Sequence, residues 1–132
     1  MLPNESEKNA TTENGSVEKV CDLNYLDEMM GHKNHLILGI MDVFLTQIPE
    51  ELNGINEAVD NTNYSSIKSY AHTMKSSVSI MGVSVLTPIL KQMEELGTAG
   101  NNIEKIKELN QQLNKICKQA VAEIENEKHN YI

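Results

Sequence analysis

The amino-acid sequence predicts an all-α protein, an antiparallel four-helix bundle with a short extra helix at its N-terminal end. From Asp22 almost to the end of the chain, apolar residues recur at intervals of three and four residues, which is the spacing of amphipathic helices. Aromatic residues make up only 4% of the 132 residues while Leu, Ile and Met are frequent, and this composition favours helices over a β-sandwich. Several amphipathic helices with short connections fold as an antiparallel bundle.

The first 20 residues differ in composition from the rest of the chain. They are rich in Asn, Glu, Ser and Thr and contain few apolar residues, which is typical of a disordered leader or linker. We therefore expect a leader over residues 1–20, the bundle over residues 21–127, and a frayed C-terminal tail over residues 128–132.

A short first helix is predicted to end at Gly31. Its apolar positions are Leu23, Leu26, Met29 and Met30. A second, strongly apolar helical stretch begins near Asn34 and continues to Val59. Pro49 lies inside this stretch, so the pattern fits either one kinked helix or two separate helices.

The third helix is predicted from about Tyr64 to Met81, after a loop at residues 60–63 that offers an N-cap. It has the most regular apolar spacing in the chain, and Gly82 ends it. Its apolar positions are Tyr64, Ile67, Ala71, Met74, Val78 and Met81.

Two further helices complete the predicted bundle. The fourth has Pro88 in its first turn, and we expect Ser84 or Thr87 to cap it. A turn at residues 97–101 precedes the last helix, which should end near Asn126.

The charge excludes several classes of partner. The chain has 11 Lys, no Arg and 19 acidic residues, for a formal net charge of −8. Binding of nucleic acid or of an anionic membrane surface needs a basic surface, so we expect neither. No apolar run has the length of a transmembrane helix, so no membrane insertion is expected. The chain is too short for an ATP-binding catalytic domain plus a second domain.

The cysteines and the N-terminus favour a cytoplasmic protein. Cys21 and Cys117 lie far apart and form neither a zinc motif nor a disulfide framework, so we expect two reduced thiols. The acidic, polar N-terminus has no signal-peptide pattern.

One face of the third helix combines a histidine with small and basic residues. The positions three, four and seven residues from His72 share its face. These are Ser65, Lys68, Ser69, Lys75, Ser76 and Ser79. None is a large apolar residue, so His72 is predicted on the solvent side. An exposed imidazole is a good nucleophile at phosphorus, and Lys75 can place an ammonium near phosphoryl oxygens. The alternative is a solvated face that happens to contain a histidine.

The segment around His72 resembles the signature of histidine phosphotransfer (HPt) domains of two-component phosphorelays. That signature has a His, an apolar residue two on, a Lys three on, a small residue four on and a Gly ten on. In this chain the places are held by His72, Met74, Lys75, Ser76 and Gly82. Ser76 departs from the pattern because Gly is commonest there, and its hydroxyl could alter the phosphoryl contacts. The resemblance extends over about residues 22–125.

The resemblance implies a phosphorelay carrier with no ATP site and no cofactor of its own. His72 would accept a phosphoryl group from an aspartyl phosphate on a response-regulator receiver domain and pass it to another receiver Asp. Lys75 would stabilise the phosphoryl group, and Mg²⁺ is expected on the partner receiver. The receivers include those of a hybrid sensor histidine kinase, and both a free-standing protein and the last domain of such a kinase fit the sequence. We expect a monomer, because the family does not need a dimer for transfer.

The second helix has more apolar positions than one core stripe needs. We hypothesise that Leu38 and Leu45 form an exposed apolar patch beside His72, on which a receiver helix packs. The other expected partner-binding residues are Ser65, Lys68, Ser69, Ser76 and Ser79. The alternative is that this helix is buried on two sides.

Other titratable residues are given no functional role. His32 and His35 lie three residues apart without a third ligand, so no metal site is predicted. Glu94 and Glu95 are expected on a solvated face. The alternative to a carrier is a helical-bundle interaction module that binds or sequesters a receiver without being phosphorylated at His72.

Overall fold

The computed structural model describes residues 18–132, so most of the expected leader, residues 1–17, lies outside the described residues. The described chain forms five α-helices and one terminal 3₁₀ helix, with no strand among them. The helices are α1 (Asn24–Met29), α2 (Asn34–Asp60), α3 (Tyr64–Ile80), α4 (Leu86–Ala99) and α5 (Ile103–Glu127), followed by the 3₁₀ helix Lys128–Asn130. The predicted all-α class is confirmed.

The four long helices form the bundle, and α1 is the short extra helix. Each long helix packs against two others, in the cyclic order α2, α3, α4, α5. The core lies between them and consists mainly of Ile, Leu, Met and Val side chains, and Phe44 is the one buried aromatic side chain in it among residues 18–132. Short connections make consecutive helices antiparallel.

The sequence left open whether Pro49 separates two helices, and the structure contains one continuous helix. Residues on both sides of Pro49 belong to α2, and Pro49 itself is exposed. Ile48 and Leu52, which flank it, are buried in the core. The ring therefore removes one backbone donor on the solvent side of α2 without interrupting the buried stripe.

The ends of α3 follow the expected signals. The Asn63 side chain accepts a hydrogen bond from the Ser66 backbone nitrogen at 3.1 Å, as an N-cap does. Gly82 follows the helix with a φ of +66°, and a Cβ at this position would lie 2.0 Å from the backbone oxygen of Asp22. Only glycine fits both the dihedral and the space.

Pro88 lies in the first turn of α4, as predicted, but the predicted cap and the predicted C-terminal end of this helix are wrong. The helix begins after Val85, which provides no side-chain cap, so neither Ser84 nor Thr87 has the expected role. A tight turn leads into it instead, and in this turn the Thr87 backbone nitrogen donates to the Ser84 carbonyl at 3.1 Å. At the other end α4 continues through Gly97, and Gly100, with a φ of +68°, terminates it.

The segments at both ends of the described chain pack onto the bundle. The backbone nitrogens of Val20 and Cys21 donate to the Glu123 carboxylate at 2.9 and 3.0 Å. The expected frayed tail instead starts with the 3₁₀ helix, where Lys128 pairs with Asp42 at 2.6 Å. Tyr131 is half-buried and packs against the core.

Within residues 18–132, the helices all fall short of the length and apolar character needed to cross a membrane. Cys21 and Cys117 are free thiols, half-buried and buried respectively.

Candidate functional site

His72 lies midway along α3 on the face turned away from the core. Its neighbours Ala71 and Met74 are fully buried, and this fixes the rotation of α3 about its axis. The imidazole is 69% exposed, so the predicted solvent position of His72 is confirmed.

A glutamate from α4 joins His72 to Lys75. Oε2 of Glu94 lies 2.8 Å from Nδ1 of His72, and Oε1 of the same carboxylate lies 2.6 Å from Nζ of Lys75. The expectation that Glu94 belongs to a solvated face is wrong, because its side chain is only 20% exposed and contacts both residues. No spacing within α3 signals this contact, since it depends on how α4 is placed against α3.

The charges of Glu94, Lys75 and His72 determine which imidazole nitrogen is free to react. The ammonium of Lys75, and then the ring of His72, lower the pKa of the Glu94 carboxyl below its usual value. An ionised carboxylate can only accept, so Nδ1 of His72 donates the hydrogen bond. In the neutral ring the lone pair is then on Nε2, the nitrogen left for a reaction partner.

Small and basic residues surround the ring. Lys68, Ser69 and Thr73 line an open depression of about 340 Å³ together with His72 and Glu94. The predicted small residues Ser65, Ser76 and Ser79 are exposed as well. Room for a second protein to approach His72 is therefore present.

The structure does not bring the predicted docking residues Leu38 and Leu45 to His72. Both are half-buried and share a side of α2 with Pro49 and Leu52. Pro49 and Leu52 line a groove between α2 and α5, whereas His72 is on α3. The hypothesis of an apolar patch at Leu38 and Leu45 beside His72 is therefore corrected.

A different part of α2 presents apolar surface next to α3. Ile40 and Val43 of α2 line a groove of about 250 Å³ with Ser76 and Ile80 of α3. Val43 is 50% exposed. Ser76 is also one turn from His72, so this groove adjoins the histidine.

His32 and His35 are not part of this site. Nδ1 of His32 contacts Oδ2 of Asp27 at 2.5 Å, at the far end of α1. In the part of the chain that the structure describes, no group of three or more His, Cys, Asp or Glu is placed to hold a metal ion.

Comparisons with known proteins identify the family and the fold of the chain. The family model described as "Hpt domain" matches residues 39–127, a segment that contains His72, Lys75 and Glu94. The crystal structure of histidine-containing phosphotransfer protein B (HptB) from Pseudomonas aeruginosa PAO1 matches with a TM-score of 0.78 and 19% identity, covering 86% of this chain and 97% of that chain. At this identity the structural match shows a shared fold. No curated protein sequence matches the chain.

Proposed function

The chain belongs to the Hpt domain family, and on this premise we propose that His72 accepts a phosphoryl group from a receiver aspartyl phosphate and passes it to another receiver Asp. Membership makes the chain a histidine phosphotransfer carrier of phosphorelays, distinct from an enzyme with its own ATP site. The observation that supports His72 as the carrier residue is an exposed imidazole whose Nδ1 is occupied by Glu94, which leaves Nε2 for phosphorus.

The proposed step uses one lone pair and needs no acid or base from the carrier. The Nε2 lone pair forms a bond to phosphorus while the bond between phosphorus and the receiver's carboxylate oxygen breaks. The electron pair of the broken bond stays on that carboxylate. Phosphoryl transfer of this kind depends mainly on positioning and on charge stabilisation, and Mg²⁺ on the receiver would supply most of the charge.

Lys75 is proposed to stabilise the transferred group. Lys75 is one helical turn from His72, its side chain is a third exposed, and its ammonium pairs with the Glu94 carboxylate. A phosphoryl group on Nε2 would offer additional oxygens to the same ammonium, and a charge-assisted hydrogen bond to one of them would stabilise the phosphorylated state.

The groove between α2 and α3, lined by Ile40, Val43, Ser76 and Ile80, is the proposed docking surface for the receiver. Its apolar residues can bury a helix of the partner, and the exposed Lys68 places positive charge beside His72 on a chain whose net charge is −8. The small side chains of Ser65, Ser69, Ser76 and Ser79 leave access to the imidazole.

We further propose a monomer that works in the cytoplasm, with receivers that include those of hybrid sensor histidine kinases.

The carrier role of His72 is tested by transfer of a radiolabelled phosphoryl group from phosphorylated receiver domains to the wild-type chain and to His72→Gln. We expect acid-labile, alkali-stable label on the wild type and on the control His129→Gln, which changes an exposed histidine outside the site. Equal labelling of His72→Gln would overturn the assignment. A wild type that binds receivers without taking label would support the alternative, a non-phosphorylated module that sequesters a receiver.

A further inference from the structure

We infer, on the premise of the proposed function, that Lys68 is a second cation that binds the phosphoryl group while His72 carries it. Lys75 would bind the same group from the opposite direction along α3. As part of the docking surface Lys68 would act only while a receiver is bound, whereas a contact with the phosphoryl group persists after the receiver has left.

Lys68 and His72 lie on one face of α3 and line the same surface depression. Side chains four residues apart on a helix have Cβ atoms about 5–6 Å apart. The depression has a volume of about 340 Å³, and Ser69 and Thr73 complete its wall on α3, whereas Lys75 does not line it. A phosphoryl group on Nε2 that enters this depression is therefore within reach of the flexible four-carbon side chain of Lys68.

The charge of Lys75 is already compensated in this site, whereas the charge of Lys68 is not. Oε1 of Glu94 pairs with the Lys75 ammonium at 2.6 Å, and with a neutral imidazole these three groups sum to zero formal charge. Lys68 is exposed and has no ion-pair partner among residues 18–132. A phosphoryl group adds about two negative charges at neutral pH. Lys68 therefore provides the cation that the site needs once this group is in place.

The other charged residues on the neighbouring part of α4 do not replace Lys68. Lys91 and Glu95 are exposed and of opposite charge, and neither lines the depression. An ammonium donates charge-assisted hydrogen bonds to phosphoryl oxygens. Lys68 forms no covalent bond and transfers no proton in the step. It offsets charge on the phosphoryl oxygens while the bond between Nε2 and phosphorus forms, and again while this bond breaks.

The first test detects the contact directly. Phosphoramidate transfers its phosphoryl group to imidazole with loss of ammonia, so it loads His72 in the full chain without a receiver. His72→Gln identifies the signals that come from other histidines. Nitrogen-15 spectra of the lysine ammonium groups, recorded before and after loading, should show a shifted Lys68 resonance and an unchanged Lys91 resonance. A Lys68 resonance that is the same in both spectra would overturn the inference.

The second test measures the effect of Lys68 on the reaction. Phosphoramidate should load Lys68→Ala about two- to fivefold more slowly than the wild type, as expected for one exposed charge pair. This difference should shrink at an ionic strength of about 1 M, where the Debye length is only about 3 Å. Lys68→Arg should restore the rate, and the control Lys91→Ala should react as the wild type does. A structural defect in Lys68→Ala would neither respond to salt nor be rescued by arginine.

The inference and the proposed function fail in different ways. If His72 is loaded but Lys68→Ala reacts as fast as the wild type at low salt, the inference is wrong and the carrier role of His72 stands. If phosphoramidate loads His72 and no receiver does, the relay role is wrong and the contact with Lys68 is still measured. A phosphorylated receiver supplies the same loaded chain if phosphoramidate does not react, and a chain loaded by neither donor overturns both.

Discussion

Gly97 of α4 lies directly against the backbone of α3, and a Cβ built on it would be 3.0 Å from the Lys68 amide nitrogen. It would be equally close to the carbonyl oxygen of Tyr64. This close approach occurs one helical turn from Glu94 on α4 and from His72 on α3. The absence of a side chain at one position thus sets the distance between the two helices that make the site.

Substitution of Gly97 should therefore affect stability and site geometry together. Gly97→Ala must push apart two backbones, so we expect a loss of about 1–3 kcal/mol in the free energy of unfolding, measured in urea. The His72 ring resonances should shift as its contact with Glu94 lengthens. Gly39→Ala is the control, because a Cβ there meets nothing within 4 Å, and it should be neutral or stabilising. Equal stability of the two variants would show that α4 can move away at no cost.

Lys75→Ala should slow phosphoryl transfer from a receiver by about 10- to 100-fold, because a hydrogen bond to a charged group contributes about 1.5–3 kcal/mol. Circular dichroism should be unchanged, because Lys75 is not a core residue. Lys91→Ala removes an exposed lysine on α4 and serves as the matched control. Transfer that proceeds equally fast in both variants would leave no role for the Lys75 ammonium.

The proposed docking surface predicts that an aspartate at Val43 weakens receiver binding, whereas an aspartate at Val85 does not. Val43→Asp places a charge in the groove between α2 and α3 and should weaken receiver binding by about tenfold or more, or about 1.4 kcal/mol. Val85 is equally exposed, at 47% against 50%, but lies in the turn before α4. Val85→Asp should bind as the wild type does in isothermal titration calorimetry. The reverse order of affinities would move the docking surface from this groove to the turn between α3 and α4.

A half-buried acid on α2 predicts a pH-dependent stability. Oε1 of Glu51 is buried without a hydrogen-bond partner, and burial raises the pKa of this carboxyl above 4.5. The folded state therefore holds this proton more tightly than the unfolded state, and the contribution of Glu51 to stability falls as pH rises from 4.5 through the raised pKa. Glu51→Gln should be more stable than the wild type at neutral pH, with a smaller fall over that range in urea denaturation. Glu50→Gln, at an exposed position, should keep the wild-type slope.

The two thiols predict a second pH effect at the alkaline end. Burial raises the pKa of both Cys21 and Cys117 from 9.0 to about 12. Unfolding releases these protons between those values, so stability should fall as pH rises from 9 to 12. The double variant Cys21→Ala, Cys117→Ala should show a shallower fall in the urea midpoint than the wild type. An identical slope would mean that neither thiol is protected in the folded chain.

Periodicity along single helices was sufficient to predict the helices and the exposure of His72. Ala71 and Met74 belong to the apolar stripe of α3, so His72 between them must project to the other side. The Asn63 cap was predictable for a similar reason, because it depends on residues within one turn.

Features that depend on pairs of helices were not predictable in this way. Glu94 is 22 residues from His72, and its contact requires the depth of packing that Gly97 permits. The prediction that Leu38 and Leu45 lie beside His72 was wrong for the same reason. Leu38 and Val43 flank the same buried stripe of α2 on opposite sides, and periodicity alone does not tell which flank faces α3.

The hydrogen bonds from Val20 and Cys21 to Glu123 anchor the start of the described chain to α5, so a pulling force on that end would act on them first. Asp22 donates to the carbonyl of Met81, about 13 Å along α3 from His72, given a rise of 1.5 Å per residue. Tension applied ahead of residue 18 would act first on this anchor to α5 and on the turn after α3. The ring of His72 and the carboxylate of Glu94 lie outside this anchor, so they would keep their contact until the anchor to α5 had broken.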